Sequence, residues 1–108
     1  SRGIIWPDSL SPFEAVIIDI DSGQDIQVQK FAESLYQDLS NNNVDVIYDD
    51  RDIGFGNKVK DWELIGVPNL IIIGKKEAAS DCVTYKSRDK VEKTMIELNE
   101  LRSRIIKN

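Results

Sequence analysis

The spacing of apolar and polar positions changes period several times along the chain, and each change marks an element. Glu14 to Ile20 (EAVIIDI) has a Val-Ile-Ile centre between acidic residues, which suits a strand covered on both faces. Ser22 and Gly23 break it. From Asp25 to Ser40 the period is helical. Val28, Phe31, Ala32, Leu35 and Leu39 line one face, and Gln27, Lys30, Glu33, Gln37 and Asp38 fill the other. Asn41-Asn42-Asn43 stops this helix, because Asn tolerates left-handed backbone. Val44 to Tyr48 reads as a second strand, and Asp49 to Asn57 (DDRDIGFGN) as a loop with two glycines. A short helix is expected over Lys58 to Ile65. Gly66-Val67-Pro68 ends it, since a residue before proline avoids helical geometry. Asn69 to Ile73 is a third, strongly apolar strand. Lys75 to Asp81 reads as a polar connection with no helix of its own, and Cys82 to Lys86 as a fourth strand toward an edge. A second long helix is expected from Asp89 to Ile106, with Val91, Met95, Leu98, Leu101 and Ile105 on one stripe.

Strands separated by helices imply right-handed crossovers and a largely parallel sheet with helices on both faces. The helix-free connection after Gly74 allows the fourth strand to run antiparallel. The chain of 108 residues is expected to form one domain, with residues 1–12 as an extended lead-in carrying Pro7 and Pro12.

Composition narrows the chemistry. The chain has no histidine and one cysteine, Cys82. That excludes a Ser-His-Asp triad, a Cys-His pair, a disulfide framework and a Cys- or His-based zinc site. Cys82 lies in a strand pattern and reads as an inert thiol. The longest apolar runs are four residues, such as Leu70 to Ile73, too short to span a bilayer. No secretory apolar segment follows the N-terminus, so a reducing cytoplasm is the expected compartment. Asp19, Asp21, Asp49, Asp50 and Asp52 fall at strand ends and could ligate Mg²⁺, as in a signalling receiver domain. Such a domain needs an acceptor Asp after the third strand, and here Ile73-Gly74-Lys75 stands there. No phosphate-cradling glycine motif is present.

The net charge of −5 argues against an indiscriminate polyanion binder. It is distributed unevenly. Asp8 to Asp52 holds eleven carboxylates against two cations, and Ile53 to Asn108 holds eight against eleven. Any nucleic-acid face should draw most of its cations from the second half. Just after the second strand, carboxylates, cations and an aromatic lie close together: Asp50, Arg51, Lys58, Lys60, Asp61, Trp62 and Glu63. Such a mixture suits a nucleobase better than a bare phosphate. Guanine O6 and N7 accept from Arg or Lys, while its N1–H and N2–H₂ donate to a carboxylate. Arg51 and Lys58 should then flank one cradle. The competing reading is a surface ion pair of Asp50 with Arg51 and a Trp62 that plugs the core.

Gly3-Ile4-Ile5-Trp6-Pro7, Ser11-Pro12-Phe13-Glu14, Leu35-Tyr36, Asp49-Asp50-Arg51, Gly56, Lys58 and Trp62-Glu63-Leu64-Ile65-Gly66-Val67-Pro68 follow one another in order. Ile73-Gly74-Lys75, Tyr85-Lys86 and Arg88 complete the set. In this order they resemble the C-terminal anticodon-binding domain of prolyl-tRNA synthetase, over about residues 3 to 106. The domain type is shared with the class II synthetases for histidine, glycine and threonine.

The resemblance implies a three-layer α/β fold whose mixed, mostly parallel sheet of five strands is flanked by helices. The fifth strand is then expected within Gly3 to Trp6 or around Arg51 to Phe55. It also implies a role: the domain holds the anticodon stem-loop of proline tRNA, whose second and third anticodon bases are guanine. ATP, Mg²⁺ and the ligation of proline belong to a separate catalytic domain of a homodimeric parent. No cofactor, DNA or membrane partner is expected for this domain. Arg51 and Lys58 become candidates for guanine O6/N7 or adjoining phosphates, and Asp50, Asp52 or Glu63 for N1–H and N2–H₂. Lys75, Lys76, Lys86 and Arg88 become candidates for the RNA backbone. Many family members carry Arg-Pro-Gly where this chain has Gly54-Phe55-Gly56. The loop thus lacks a cation and gains Phe55, which can stack on a base or pack on the sheet. The alternative function is a domain of this fold recruited for protein interaction or dimerisation, with RNA binding lost.

Overall fold

A computed structural model describes residues 13–21, 24–51, 53–87 and 92–106. The elements run β1 (Ala15–Asp19), α1 (Ile26–Asn41), β2 (Val46–Asp49), α2 (Phe55–Ile65), β3 (Asn69–Ile73), α3 (Lys75–Ser80), β4 (Cys82–Ser87), β5 (Thr94–Glu97) and α4 (Leu98–Ile105). The sheet order is β2-β1-β3-β4-β5. β1 pairs in parallel with β2 and β3, while β3–β4 and β4–β5 are antiparallel. The sheet is therefore mixed in equal parts, a smaller parallel share than expected.

β1, between β2 and β3, is buried along its whole length, as its Val-Ile-Ile core requires. Successive residues feed opposite faces. Ala15 and Ile17 join Val28, Ala32, Leu35 and Leu39 of α1, Ile71, Ile73 and Val83, with Leu101 and Ile105 of α4. Val16 and Ile18 join Val59 and Trp62 of α2, Val67, Leu70 and Ile72 on the other face. Asp25 caps α1 by accepting from the Val28 N–H at 3.1 Å. Beyond the helix end, Asn43 takes a left-handed φ of 65°. Gly66, with φ 86°, ends α2, and Asp81, with φ 55°, ends α3.

Several expected boundaries shift. β2 runs from Val46 to Asp49 rather than from Val44 to Tyr48. α2 starts at Phe55 rather than Lys58, so Phe55, Gly56 and Asn57 form its first turn. The connection after Gly74 holds the short α3, anchored by buried Glu77, whose Oε1 accepts from the Gly74 N–H at 2.9 Å. Its Oε2 accepts from the Thr84 hydroxyl at 2.7 Å, tying α3 to β4. The expected helix over Asp89 to Ile106 is divided into strand and helix. Thr94–Glu97 forms the fifth strand, and among the described residues of this span only Leu98–Ile105 is helical. The open edge of β4 explains this: Ile96 lies opposite Val83 and is buried with it, a gain that outweighs local helix propensity. The lead-in segment, the Gly3 to Trp6 site for a fifth strand, and Val91 lie outside the described residues.

Strand and helix make opposite predictions for two neighbours. Met95 is 41% exposed, whereas Ile96 is buried. Ile96→Ala is expected to cost about 2–5 kcal/mol in urea unfolding, and Met95→Ala less than about 0.5 kcal/mol. The reverse order would restore the helical stripe.

Candidate nucleic-acid interface

Parallel pairing sets the ends of β1, β2 and β3 together. Asp19 is in register with Ile73, and Ile18 with Asp49. The segments that follow them, from Ile20, Asp50 and Gly74, therefore leave from the same edge of the sheet. This end of a parallel sheet, where connections diverge to opposite faces, is where α/β folds place their ligands. The Ile20 N–H donates to the Ile73 carbonyl at 3.0 Å. Lys75 Nζ stands 3.8 Å from Asp25 Oδ2. Exposed Ile20, Ile26 and Ile53 add apolar surface on these segments.

Two buried carboxylates organise this end. Period-two alternation turns Asp49 inward on the same face as Ile47. Its Oδ1 accepts from the Arg51 N–H at 3.1 Å and from Arg51 Nε at 2.9 Å, and its Oδ2 from Arg51 Nη2 at 2.9 Å. Trp62 Nε1 donates to the same Oδ2 at 2.6 Å. Arg51 Nη1 lies 3.2 Å from Asp61 Oδ2, and the guanidinium carbon 6.0 Å from the Trp62 ring centre. Burial alone would raise the Asp49 carboxyl. The hydrogen bonds from Arg51 and Trp62, with the Arg51 charge, outweigh it and hold the group below its usual range. The bond to Asp49 in turn pushes the Arg51 guanidinium up. The second carboxylate, Asp19, accepts from the Asp21 N–H at 2.9 Å and from the Tyr48 hydroxyl at 2.6 Å. Burial first, then that hydrogen bond and the charges of Asp19, Asp50 and Glu33, push the Tyr48 phenol up.

The expected site residues separate into groups. Asp50, Arg51, Lys75 and Lys76 are exposed on the segments after β2 and β3. Arg51 retains 46% side-chain exposure and Lys75 74%. Phe55 is half-buried against the α2-side core, with Lys93 Nζ 5.2 Å from its ring centre. Lys58 corrects the expectation. Its side chain is 0% exposed, and its ammonium donates to the Asp19 carbonyl at 2.8 Å. A cation used inside the fold in this way does not flank a cradle with Arg51. Lys86 departs likewise: it is buried, lies opposite Leu70 near the start of β3, and its Nζ meets Glu63 Oε2 at 3.0 Å. Lys86 is thus paired with Glu63, whose side chain is exposed. Asp52 and Arg88 lie outside the described residues. Trp62 is a core residue, meeting Phe13 edge-on at 6.1 Å between ring centres. Cys82 is half-buried, its thiol within 3.3 Å of the Ser80 carbonyl.

Among the described residues, no group of three or more His, Cys, Asp or Glu is placed to hold a metal ion. Asp19 and Asp49 are instead engaged by protein donors. Nor is any described helix long and apolar enough to cross a membrane. Residue type alone does not reveal the Asp19–Tyr48 and Asp49–Trp62 contacts. Strict alternation through Val46-Ile47-Tyr48-Asp49 carried the signal, since it sends Asp49 inward with Ile47.

The Asp49 contacts predict a pH signature. Its folded pKa lies below the ordinary value of 3.8, so its stabilisation is present above that value and is lost as pH falls through the folded one. Asp49→Asn is expected to lower stability by about 1–3 kcal/mol at pH 7. Urea midpoints across pH should show this gap holding down to about pH 5 and closing below about pH 4.

The family model described as "Anticodon binding domain" matches residues 14–108. Among solved structures, prolyl-tRNA synthetase from Cryptosporidium parvum, complexed with halofuginone and AMPPNP, is 27% identical with a TM-score of 0.83. The match covers 95% of this chain and 22% of that one. The same enzyme with L-proline and AMP gives 27% and 0.83 over 95% and 23%. The RNA binding domain of threonyl-tRNA synthetase from Cryptosporidium parvum Iowa II, at 24% identity and TM-score 0.78 over 92% and 24%, shows a likeness of fold. The chain thus spans less than a quarter of the length of each of these proteins. With this fold and a family match over nearly its whole length, the chain belongs to the anticodon-binding domain family of class II aminoacyl-tRNA synthetases.

Proposed function

We propose that the chain is the anticodon-reading part of a prolyl-tRNA synthetase. It receives the anticodon arm of proline tRNA at the edge where β1, β2 and β3 end. The observation that carries this reading is the state of Arg51. A guanidinium has five N–H groups. Asp49 and Asp61 engage three of them, which orients the half-exposed group and leaves two for a base edge. Exposed Asp50 stands beside it as an acceptor. One orientated donor pair next to a carboxylate matches guanine, which needs both.

The proline assignment is supported by the Trp6-Pro7, Asp49-Asp50-Arg51 and Trp62 to Pro68 motifs and by the likeness to a prolyl-tRNA synthetase. Lys75 and Lys76 supply phosphate contacts, and Phe55 a stacking surface at the start of α2. Asp52 and Arg88 keep their proposed places as acceptor and backbone contact. In the parent, ligation of proline to tRNA with ATP and Mg²⁺ takes place in the separate catalytic domain. That parent works as a homodimer in the cytoplasm. Gly54-Phe55-Gly56 and the net charge of −5 favour the alternative, a protein-interaction module that has lost RNA.

Titration of the chain with the proline-tRNA anticodon arm, and with the same arm after replacement of its two guanines, tests the reading. Cognate binding should be tighter, with a shallow salt slope. Arg51→Ala should cost about 1–3 kcal/mol of cognate binding and relax the preference, while Lys75→Ala weakens both RNAs alike. Equal affinity for the two arms at both low and high salt would favour the protein-interaction module.

A further inference from the structure

β2 ends the sheet on one side, and among the described residues no strand pairs with its outer edge. The Glu14 and Ala15 N–H groups donate to the Asp45 carbonyl, so Asp45 faces β1. Alternation along a parallel strand then turns the backbone groups of Val46 and Tyr48 outward. Natural edges are commonly blunted by a lysine, a proline or a bulge. Val46-Ile47-Tyr48-Asp49 has neither residue type, and its register with β1 is continuous. Above the edge, one flank of α1 overhangs it. Lys30, Glu33, Ser34 and Gln37, at helical spacing, wall a groove of about 600 Å³ whose other side is Ile47 and Tyr48. The groove joins an unpaired strand edge to a helix flank, the geometry in which an extended peptide adds as a further strand.

Charge selects the occupant. Glu33 lies on the wall, and exposed Asp45 and Asp50 stand at the two ends of the strand. Lys30 and Glu33 offset each other on the wall, so the excess negative charge comes from Asp45 and Asp50 at the strand ends. This rim repels a polyanion. It also disfavours a second copy of the chain, because antiparallel pairing of two β2 edges would set Asp45 of each against Asp50 of the other. A chain rich in lysine or arginine complements it. We propose that the β2 edge and the α1 flank form a docking groove for an extended basic segment of a partner protein, bound by strand addition.

The test uses the 108-residue chain labelled with ¹⁵N and three synthetic probes of about ten residues. One alternates Val or Ile with Lys, the second carries Glu in place of Lys, and the third is the Lys peptide N-methylated at alternate backbone positions. The Lys peptide should bind, shift the Val46 and Tyr48 amide signals and slow their hydrogen exchange. The Glu peptide should not bind. The N-methylated peptide, equal in charge but unable to complete the ladder, should also fail. Glu33→Lys, at an exposed position, should weaken the Lys peptide about fivefold while leaving the amide spectrum otherwise folded. Equal binding of the Lys and N-methylated peptides would overturn the proposal, as would amide shifts confined to the Asp50, Arg51 and Lys75 segments. An anticodon-arm RNA that shifts the Val46 and Tyr48 signals and is displaced by the Lys peptide would make the groove an RNA surface, and would equally overturn it.

Discussion

The Asp49 carboxylate is the contact on which the rest of this end of the molecule depends. It lies at the last position of β2, inside the protein, and a buried carboxylate is tolerated only when donors surround it. Those donors come from the segment just beyond the strand, through Arg51, and from α2, through Trp62. One group thereby joins strand, connection and helix. It also decides which way Arg51 points. Without it the guanidinium would be a long, freely rotating side chain that loses its rotamer freedom only on meeting a ligand.

Lys58 shows the same economy from the cationic side. Its position beside an acidic segment suggests a ligand contact, yet its ammonium serves the Asp19 carbonyl. Asp19, Tyr48 and Lys58 come from β1, β2 and α2, so a polar knot replaces part of what would otherwise be apolar packing. Such a knot binds the three elements in one arrangement, because a donor left without its acceptor in the interior is costly. The surface cations beyond it, on Arg51, Lys75 and Lys76, gain a rigid base from this arrangement.

Much of the architecture was legible because it follows from period. The buried β1, the amphipathic α1 and the apolar β3 each carry a pattern that admits one reading. Thr94–Glu97 was not legible, since its strand character comes from an open neighbouring edge rather than from its own residues. Glu77 leaves a trace in the sequence: a glutamate three residues after Gly74 can reach back to start a helix. For the candidate site, residue type located the region but not the direction of each side chain. Arg51, Lys58 and Lys86 look alike as sequence letters. Only packing distinguishes a half-exposed guanidinium from two ammonium groups consumed inside the fold.

Two helix ends leave a margin that selection has not used. Asn43 and Asp81 hold left-handed backbone without glycine. Asn and Asp accept that geometry better than most residues, but glycine has no Cβ to strain. Both positions are exposed, and neither belongs to the core. A lineage moving to warmer surroundings could therefore toughen this fold at two solvent-facing turns, one letter at a time, while every residue at the ends of β1, β2 and β3 stayed as it is.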